Sequence, residues 1–172
     1  MQSRGCRYRR HEWKAKEVVV RSHQGGPTSI SPETTQKVLY GARVPHPSSL
    51  GGWSQALIGA HSPRIKNHPD FVSEVLSHNS DGTTTVRLVK RFPDGQLSKL
   101  KKSTLAPDSW SDAQIITMTQ QVGDTLAVAT RVRDGATLHR QRVAGIEWEV
   151  IKDVSGNVTS SYPTGGQPTI HF

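Results

Sequence analysis

The middle of the chain alternates between hydrophobic and polar residues, as half-buried strands do. From Phe71 onward, the segments FVSEVLSHN, TTTVRLVKRF and QLSKLKKSTL follow one another and are separated by Ser-Asp-Gly and Pro-Asp-Gly. Such turn residues between alternating segments are typical of hairpins. The pattern therefore predicts an antiparallel meander in this part of the chain.

Two more hairpins are predicted towards the C-terminus. One turns at Asp134-Gly135, between AVATRVR and ATLHRQRV, and the other at Ser155-Gly156-Asn157, between IEWEVIKDV and VTSSYPT. Glycine and asparagine readily adopt the positive φ angles that tight turns require. We therefore expect a second antiparallel sheet in the last third of the chain.

Two segments carry the signals of helix ends. In SPETTQKVLYG, Ser31 is placed to cap a helix, Pro32 suits its first turn and Gly41 can end it. Before DAQIITMTQQV, Ser111 and Gln114 have the spacing of a capping box. The apolar residues of this second segment recur on one helical face: Ile115, Met118 and Val122. The elements together predict an α+β fold in which N-terminal helices pack with antiparallel β-sheets.

Residues 1–30 show little periodicity. Their first half, MQSRGCRYRRHEWKAK, is basic, and the following SHQGGPTSIS is rich in turn residues. We interpret residues 1–30 as an arm that links residues 31–172, the folded domain, to a larger delivery protein. An arm that grips RNA is the alternative.

Composition narrows the choice of partner. The chain has 172 residues, 33% of them hydrophobic, with a formal net charge of +8 and a pI of about 10.0. This charge favours nucleic acid as a partner, ahead of an acidic protein or a membrane surface. The single cysteine, Cys6, excludes an internal disulfide. We expect no membrane span, because no apolar run approaches the roughly 18 residues required, and no secretory signal.

Eight histidines are present, but no His-x-x-x-His or His-Glu-x-x-His pair supports a zinc site. Three of the histidines are predicted to lie at the surface: His68, His78 and His139. His46 and His61 differ, because each is flanked by Pro, Gly or Ser, and they lie fifteen residues apart. From the residues alone, the alternative that both are loop histidines with no functional role remains open.

Two histidines and a lysine can cleave RNA without a metal. One histidine takes the proton of the ribose 2′-hydroxyl, the other protonates the leaving 5′-oxygen, and cationic or N–H groups stabilise the phosphorane. The small residues Gly59 and Ala60 would let backbone N–H groups approach an anion before His61. On a strand, Lys99, Lys101 and Ser103 share one face, while Lys102 and Thr104 share the other. A solvated edge strand protected by lysines is the alternative.

The motifs KKSTLAPDSW, then SDAQII, and later GNVTSSYPTG resemble the EndoU endoribonuclease family, in the form found as C-terminal domains of bacterial polymorphic and contact-dependent-inhibition toxins. Bacterial members show a Ser-Thr strand end before proline, a Trp, a Ser-capped helix and a last strand ending in Tyr-Pro; here Leu-Ala-Pro replaces their aromatic pair before proline. The coronavirus uridylate-specific endoribonuclease shares this layout, and its two catalytic histidines are also fifteen residues apart. The resemblance covers about residues 44–166 and implies an EndoU-like ribonuclease fold.

The resemblance also implies roles for individual residues. His61 would be the general base, His46 the general acid, and either Lys99 or Lys101 the catalytic lysine. Tyr162, of the Tyr-Pro motif, would stack on or orient the ribose. The residues expected to contact substrate are Gly59, Ala60, Ser103 and Thr104.

By the same resemblance, the chain is expected to be an endoribonuclease toxin. It would cleave RNA, with tRNA as the expected target, by 2′-hydroxyl transesterification that leaves 2′,3′-cyclic phosphate and 5′-hydroxyl ends. No metal site is expected and no cofactor is required, although the family allows Mn²⁺ stimulation. A cognate immunity protein would be its partner, and the domain would act as a monomer in the target-cell cytoplasm after delivery. The alternatives are a non-catalytic RNA-binding module of the same fold and a structural adaptor of a secreted machine.

Overall fold

The computed structural model describes residues 27–48 and 51–172. These residues form an α+β fold, as predicted, with two α-helices, one short 3₁₀ helix and nine strands in three antiparallel sheets. The α-helices are α1 (Pro32–Tyr40) and α2 (Asp112–Gly123), and the 3₁₀ helix spans Pro63–Asn67. The strands are β1 (Ala42–Pro45), β2 (Trp53–Ile58), β3 (Phe71–His78), β4 (Thr84–Lys90), β5 (Lys101–Leu105), β6 (Ala129–Thr130), β7 (Thr137–Val143), β8 (Ile146–Lys152) and β9 (Val158–Pro163). None of the helices described here is long and apolar enough to cross a membrane.

Both helices begin at the predicted caps. The Ser31 side chain accepts a hydrogen bond from the Thr34 N–H at 3.0 Å, which satisfies one of the free N–H groups in the first turn of α1. Ser111 and Gln114 form the reciprocal capping box of α2. Helix α1 ends at Gly41, whose φ of 78° is readily adopted by glycine.

The three sheets follow the chain in order: β1–β2, then β3–β4–β5, then β6–β7–β8–β9. The meander was predicted, but its third strand starts at Lys101 rather than Gln96. Leu97 forms only an isolated bridge with Arg91, and the Lys99 N–H bonds to Gln55 O at 2.8 Å instead of continuing the ladder. The predicted strand at residues 127–133 shrinks to Ala129–Thr130, since Arg131 closes a turn. The hairpin between β7 and β8 was not predicted. It turns at residues 144–145, both with positive φ.

Two clusters of buried side chains hold the fold together. One lies between α1, α2 and the last sheet and centres on Trp148, which is fully buried and stacks on Trp110 with 5.7 Å between ring centroids. The other lies beneath the middle sheet and includes Ile65, Leu88 and Leu105. Burial of such apolar surface is the main term that stabilises a domain of this size. Strand β5 belongs to the middle sheet and strand β9 to the last sheet. The two strands contact each other where these two halves of the domain meet.

Residues 28–30, which precede the predicted domain boundary at residue 31, contact the rest of the described structure. The Thr28 N–H donates to Asp124 Oδ1 at 3.0 Å, and Ser29 exchanges backbone hydrogen bonds with Gly156 O and the Val158 N–H. Ile30 packs against the first core cluster. These contacts attach residues 28–30 to the domain. Most of the predicted arm, residues 1–26, lies outside the described residues.

Candidate active site

A cleft of about 450 Å³ opens where α1, the residues after β2, and strands β5 and β9 converge. Its polar lining comes from elements of both halves of the domain. The side chains that matter for chemistry are Lys37, His61, Lys101, Ser103, Thr104 and Tyr162. The structure therefore brings together most of the residues that the sequence singled out, and adds Lys37.

The backbone around His61 is held against the end of α1. The N–H groups of residues 60–62 donate in succession to the carbonyls of residues 37–39, at 3.1, 2.9 and 3.0 Å. The last carbonyls of a helix have no partner within the helix, so the bonds to Val38 and Leu39 satisfy groups that otherwise require water. The Lys37 carbonyl accepts from the Gly41 N–H as well. On its other side, the His61 carbonyl accepts from the Ala106 N–H at 2.9 Å. His61 is thus fixed between α1 and the end of β5.

This docking explains the small residues before His61. Gly59 has a φ of 81°, and a Cβ at this position would lie 1.9 Å from the Lys37 carbonyl oxygen. Ala60 is fully buried, also has positive φ, and donates its N–H to that same oxygen. The prediction that Gly59 and Ala60 present N–H groups to an anion is therefore corrected for Ala60: its N–H is occupied, and both residues serve a close approach to α1.

The imidazole of His61 is oriented by strand β5. Its Nδ1 lies 2.9 Å from the Thr104 carbonyl oxygen, which can only accept, so Nδ1 carries the proton and Nε2 carries the lone pair. The Ser103 hydroxyl donates to Ala60 O at 2.7 Å and lies 3.3 Å from Nδ1. Burial, and secondarily the charge of Lys101, lower the pKa of His61 to about 4. The ring is therefore neutral at pH 7.

Two ammonium groups share the cleft with this neutral ring. Lys101 Nζ donates to the Gly59 carbonyl at 2.5 Å, and burial together with the charge of Lys37 lowers its pKa to about 8. Lys37 Nζ donates to the Thr159 carbonyl, and burial lowers its pKa as well. Lys99 is exposed, lies outside β5 and does not line the cleft. Of the two lysines proposed from the sequence, the cleft therefore contains Lys101.

Sequence reasoning missed Lys37. A lysine in the last turn of a capped helix ordinarily interacts with the helix dipole at the surface, so the local pattern offers no reason to select it. Its position in the cleft depends on how α1 packs beside β9.

Tyr162 lies on β9, and its ring centroid is 6.1 Å from that of His61. Its hydroxyl lies 3.1 Å from Thr169 Oγ1. Thr169 donates from both N and Oγ1 to Glu149 Oε1, at 3.0 and 3.1 Å, so its oxygen is the acceptor for the tyrosine. Glu149 is fully buried and paired with Arg140 at 2.9 Å. A chain of hydrogen bonds thus runs from a buried carboxylate to the phenol at the cleft.

The structure does not bring His46 to the cleft. His46 follows β1 at the tip of the β1–β2 hairpin and is exposed. Its N–H donates to Gly52 O at 3.0 Å, and its Nδ1 accepts from the Ser48 N–H at 3.2 Å. These bonds are local to the hairpin, and His46 is not among the residues that line the cleft.

One of the remaining histidines was assigned wrongly. His139 was expected at the surface but is only 2% exposed, because its ring nitrogens pair with the Thr125 carbonyl and the Thr137 hydroxyl, both at 2.8 Å. His68 is half-buried between Tyr40 and Phe71. Neither ring lines the cleft.

The donors around the cleft do not suit a divalent cation. Mn²⁺ prefers carboxylate, carbonyl and water ligands, whereas the cleft is lined by three lysine side chains, one imidazole and no carboxylate. Elsewhere in residues 27–48 and 51–172, no group of three or more His, Cys, Asp or Glu side chains is placed to hold a metal. The positive charge in the cleft comes from Lys37 and Lys101, which are partly buried, and from the exposed Lys102.

Comparison with known families adds independent information. The family model described as bacterial EndoU nuclease matches residues 31–165. This range runs from the cap of α1 to just beyond β9 and includes every residue of the cleft named above. No curated protein sequence and no solved structure gives a significant match to the chain.

Proposed function

The chain belongs to the bacterial EndoU nuclease family, and on this premise we propose that it is an endoribonuclease that cleaves RNA through the ribose 2′-hydroxyl. The observation that carries the proposal is the neutral His61 in a cleft that also holds two lysine ammonium groups. A neutral imidazole can accept a proton, and ammonium groups stabilise the charge of a pentacoordinate phosphorane.

In the proposed reaction, Nε2 of His61 takes the proton of the 2′-hydroxyl. The 2′-oxygen then forms a bond to phosphorus, and the bond from phosphorus to the 5′-oxygen breaks. The products are a 2′,3′-cyclic phosphate and a 5′-hydroxyl end. Lys101 and Lys37 would stabilise the negative charge on the phosphorane oxygens, and Tyr162, close to the His61 ring, would orient the ribose.

The leaving 5′-oxygen needs a proton, and two residues are candidates for its source. The family resemblance assigns this role to His46, whereas the cleft itself offers Lys101, whose pKa is lowered to about 8. A substrate with a 5′-thio leaving group separates them, because this group leaves without protonation. If His46 is the acid, the His46→Ala variant will cleave the ordinary substrate slowly and the thio substrate at the normal rate.

We further propose that the domain is the toxic part of a larger delivered protein and acts on tRNA in the cytoplasm of a target cell. The net charge of +8 supports an RNA substrate. It also supports an immunity protein with an acidic surface that covers the cleft. We expect a monomer that needs no metal, since the cleft residues do not suit Mn²⁺.

The decisive experiment is an end-group analysis. Purified domain is incubated with total tRNA in EDTA, alongside His61→Ala and His78→Ala variants; His78 is an exposed histidine outside the cleft. We expect cyclic phosphate ends with the unaltered domain and with His78→Ala, and none with His61→Ala. Cleavage only after addition of Mn²⁺ would refute the metal-free mechanism. Intact tRNA under all conditions, with RNA binding retained, would support the non-catalytic module.

A further inference from the structure

A second, larger groove adjoins the cleft. It encloses about 780 Å³ and is lined by residues of α1, the β1–β2 hairpin and the turn after β4. Lys37 and Ile58 line both the groove and the cleft. The two depressions therefore lie side by side, with Lys37 and Ile58 at their common boundary.

The groove contains an unusually exposed aromatic residue. Trp53, at the start of β2, is 61% exposed, although tryptophan is among the most buried residues on average. Ile58, at the boundary with the cleft, is 39% exposed. An exposed indole beside apolar surface is the kind of platform on which nucleic-acid bases stack, because every base has a π-face.

The cations around this platform are held in place. The Arg43 guanidinium lies 4.5 Å from the centre of the Phe92 ring and bonds to Ser54 O at 2.6 Å and Asp94 Oδ2 at 2.7 Å. Lys90 Nζ donates to the carbonyls of Tyr40 and Gly41. With Lys37, the groove has three cationic side chains against the two acidic ones, Glu33 and Asp94. The excess charge is positive, and Lys37 is the cation that the groove shares with the cleft.

We propose that this groove is a second nucleotide subsite, in which a base near the cleaved bond stacks on Trp53 while a neighbouring phosphate lies at Lys37. The inference rests on the proposed endoribonuclease function and adds to it: the substrate is single-stranded RNA that occupies both depressions. Stacking makes no use of the base edges, so the subsite contributes affinity without strong base preference.

Binding in a catalytically inactive background tests the subsite separately from the reaction. The affinities of a 2′-deoxy dinucleotide and of an RNA hexanucleotide are measured for His61→Ala and for the double variants that add Trp53→Ala or Trp53→Phe. The hexanucleotide should bind more tightly than the dinucleotide, and the ratio of the two affinities measures the contribution of the groove. We expect Trp53→Ala to lower this ratio by roughly 5- to 100-fold. Trp53→Phe, which keeps a stacking ring, restores most of the gain.

The matched control is Leu126→Ala in the same background, since Leu126 is 69% exposed and does not line either depression. Melting temperatures of all variants show whether they are folded. If a folded Trp53→Ala variant binds the hexanucleotide with unchanged affinity, the proposed subsite is wrong. A failure of the proposed function is distinguishable, because unaltered domain would then leave RNA intact while hexanucleotide binding still depended on Trp53.

Discussion

The two nitrogens of the His61 ring have different tasks. Nδ1 donates to the Thr104 carbonyl, so a backbone group of β5 sets the tautomer and Nε2 keeps the lone pair that the proposed base requires. A base with a low pKa is already deprotonated at neutral pH. Its weak basicity is offset by the lysines, whose charge stabilises the product of the same step.

These pKa values predict the pH profile of cleavage. His61 must be neutral, which holds above its pKa of about 4, and Lys101 must be protonated, which holds below its pKa of about 8. The single-turnover rate should therefore rise through about pH 4, stay level near neutrality and fall through about pH 8. Lys101→Arg should move the alkaline limb to higher pH, because arginine stays protonated. An acid limb near pH 6.5 would contradict the assignment of a base whose pKa is lowered to about 4.

Lys37 should act on the chemical step as well as on binding. Replacement by methionine keeps the length of the buried side chain and removes its charge, so we expect cleavage to slow by roughly 100-fold. It should also raise the pKa of Lys101, since Lys37 contributes to lowering it, and shift the alkaline limb upward. Lys66→Met, which removes a surface partner of Asp108, is the control and should change neither the rate nor the limb.

Local signals were sufficient to predict the regular elements. Caps and turn residues at Ser31, Ser111 and Asp134-Gly135 act over a few residues, and the structure has those ends and turns. The β1–β2 hairpin was not assigned, because its many small residues give no periodicity. The role of Ala60 was misread for another reason: its N–H donates to the end of α1, which is distant in sequence.

The docking of residues 59–62 on α1 predicts a large effect of one methyl group. Gly59→Ala would place a Cβ 1.9 Å from the Lys37 carbonyl oxygen, which requires the backbone to move. We expect a loss of about 2–4 kcal/mol in the free energy of unfolding, measured by urea denaturation. Gly95→Ala is the control: its φ of 84° is similar but no atom lies within 4 Å, so about 1 kcal/mol is expected. Equal losses would mean that the contact with α1 contributes nothing.

The cleft is assembled from parts of the domain that are far apart in sequence. Strand β5 belongs to the middle sheet and β9 to the last one, so only the packing of both halves brings Lys101 near Tyr162. This is why the late motifs could be recognised from the sequence while Lys37, Thr169 and Glu149 could not. Each of these three is held by a hydrogen bond to a residue of another segment of the chain.

Thr169 is expected to position Tyr162, although it lies beyond the residues that the family model matches. Thr169→Val should lower kcat about tenfold, because the phenol loses its acceptor and the ring loses its fixed orientation. Thr169→Ser keeps the hydroxyl and should restore the rate. Steady-state kinetics on a short RNA, with melting temperatures for both variants, checks this; a valine variant as active as the serine variant would contradict it.

The N–H groups of Gly41 and Ala60 both donate to the carbonyl of Lys37, at 2.9 and 3.1 Å. The chain therefore leaves α1 and returns to the same carbonyl oxygen. Residues 42–58 form an excursion whose two ends are held together by these two hydrogen bonds. The entropy cost of closing a loop rises only slowly with its length. Insertions or deletions in residues 46–52 should therefore leave His61 in place. Divergence among related nucleases can then change the length of this hairpin, and with it the position of Trp53, without moving His61, the proposed base.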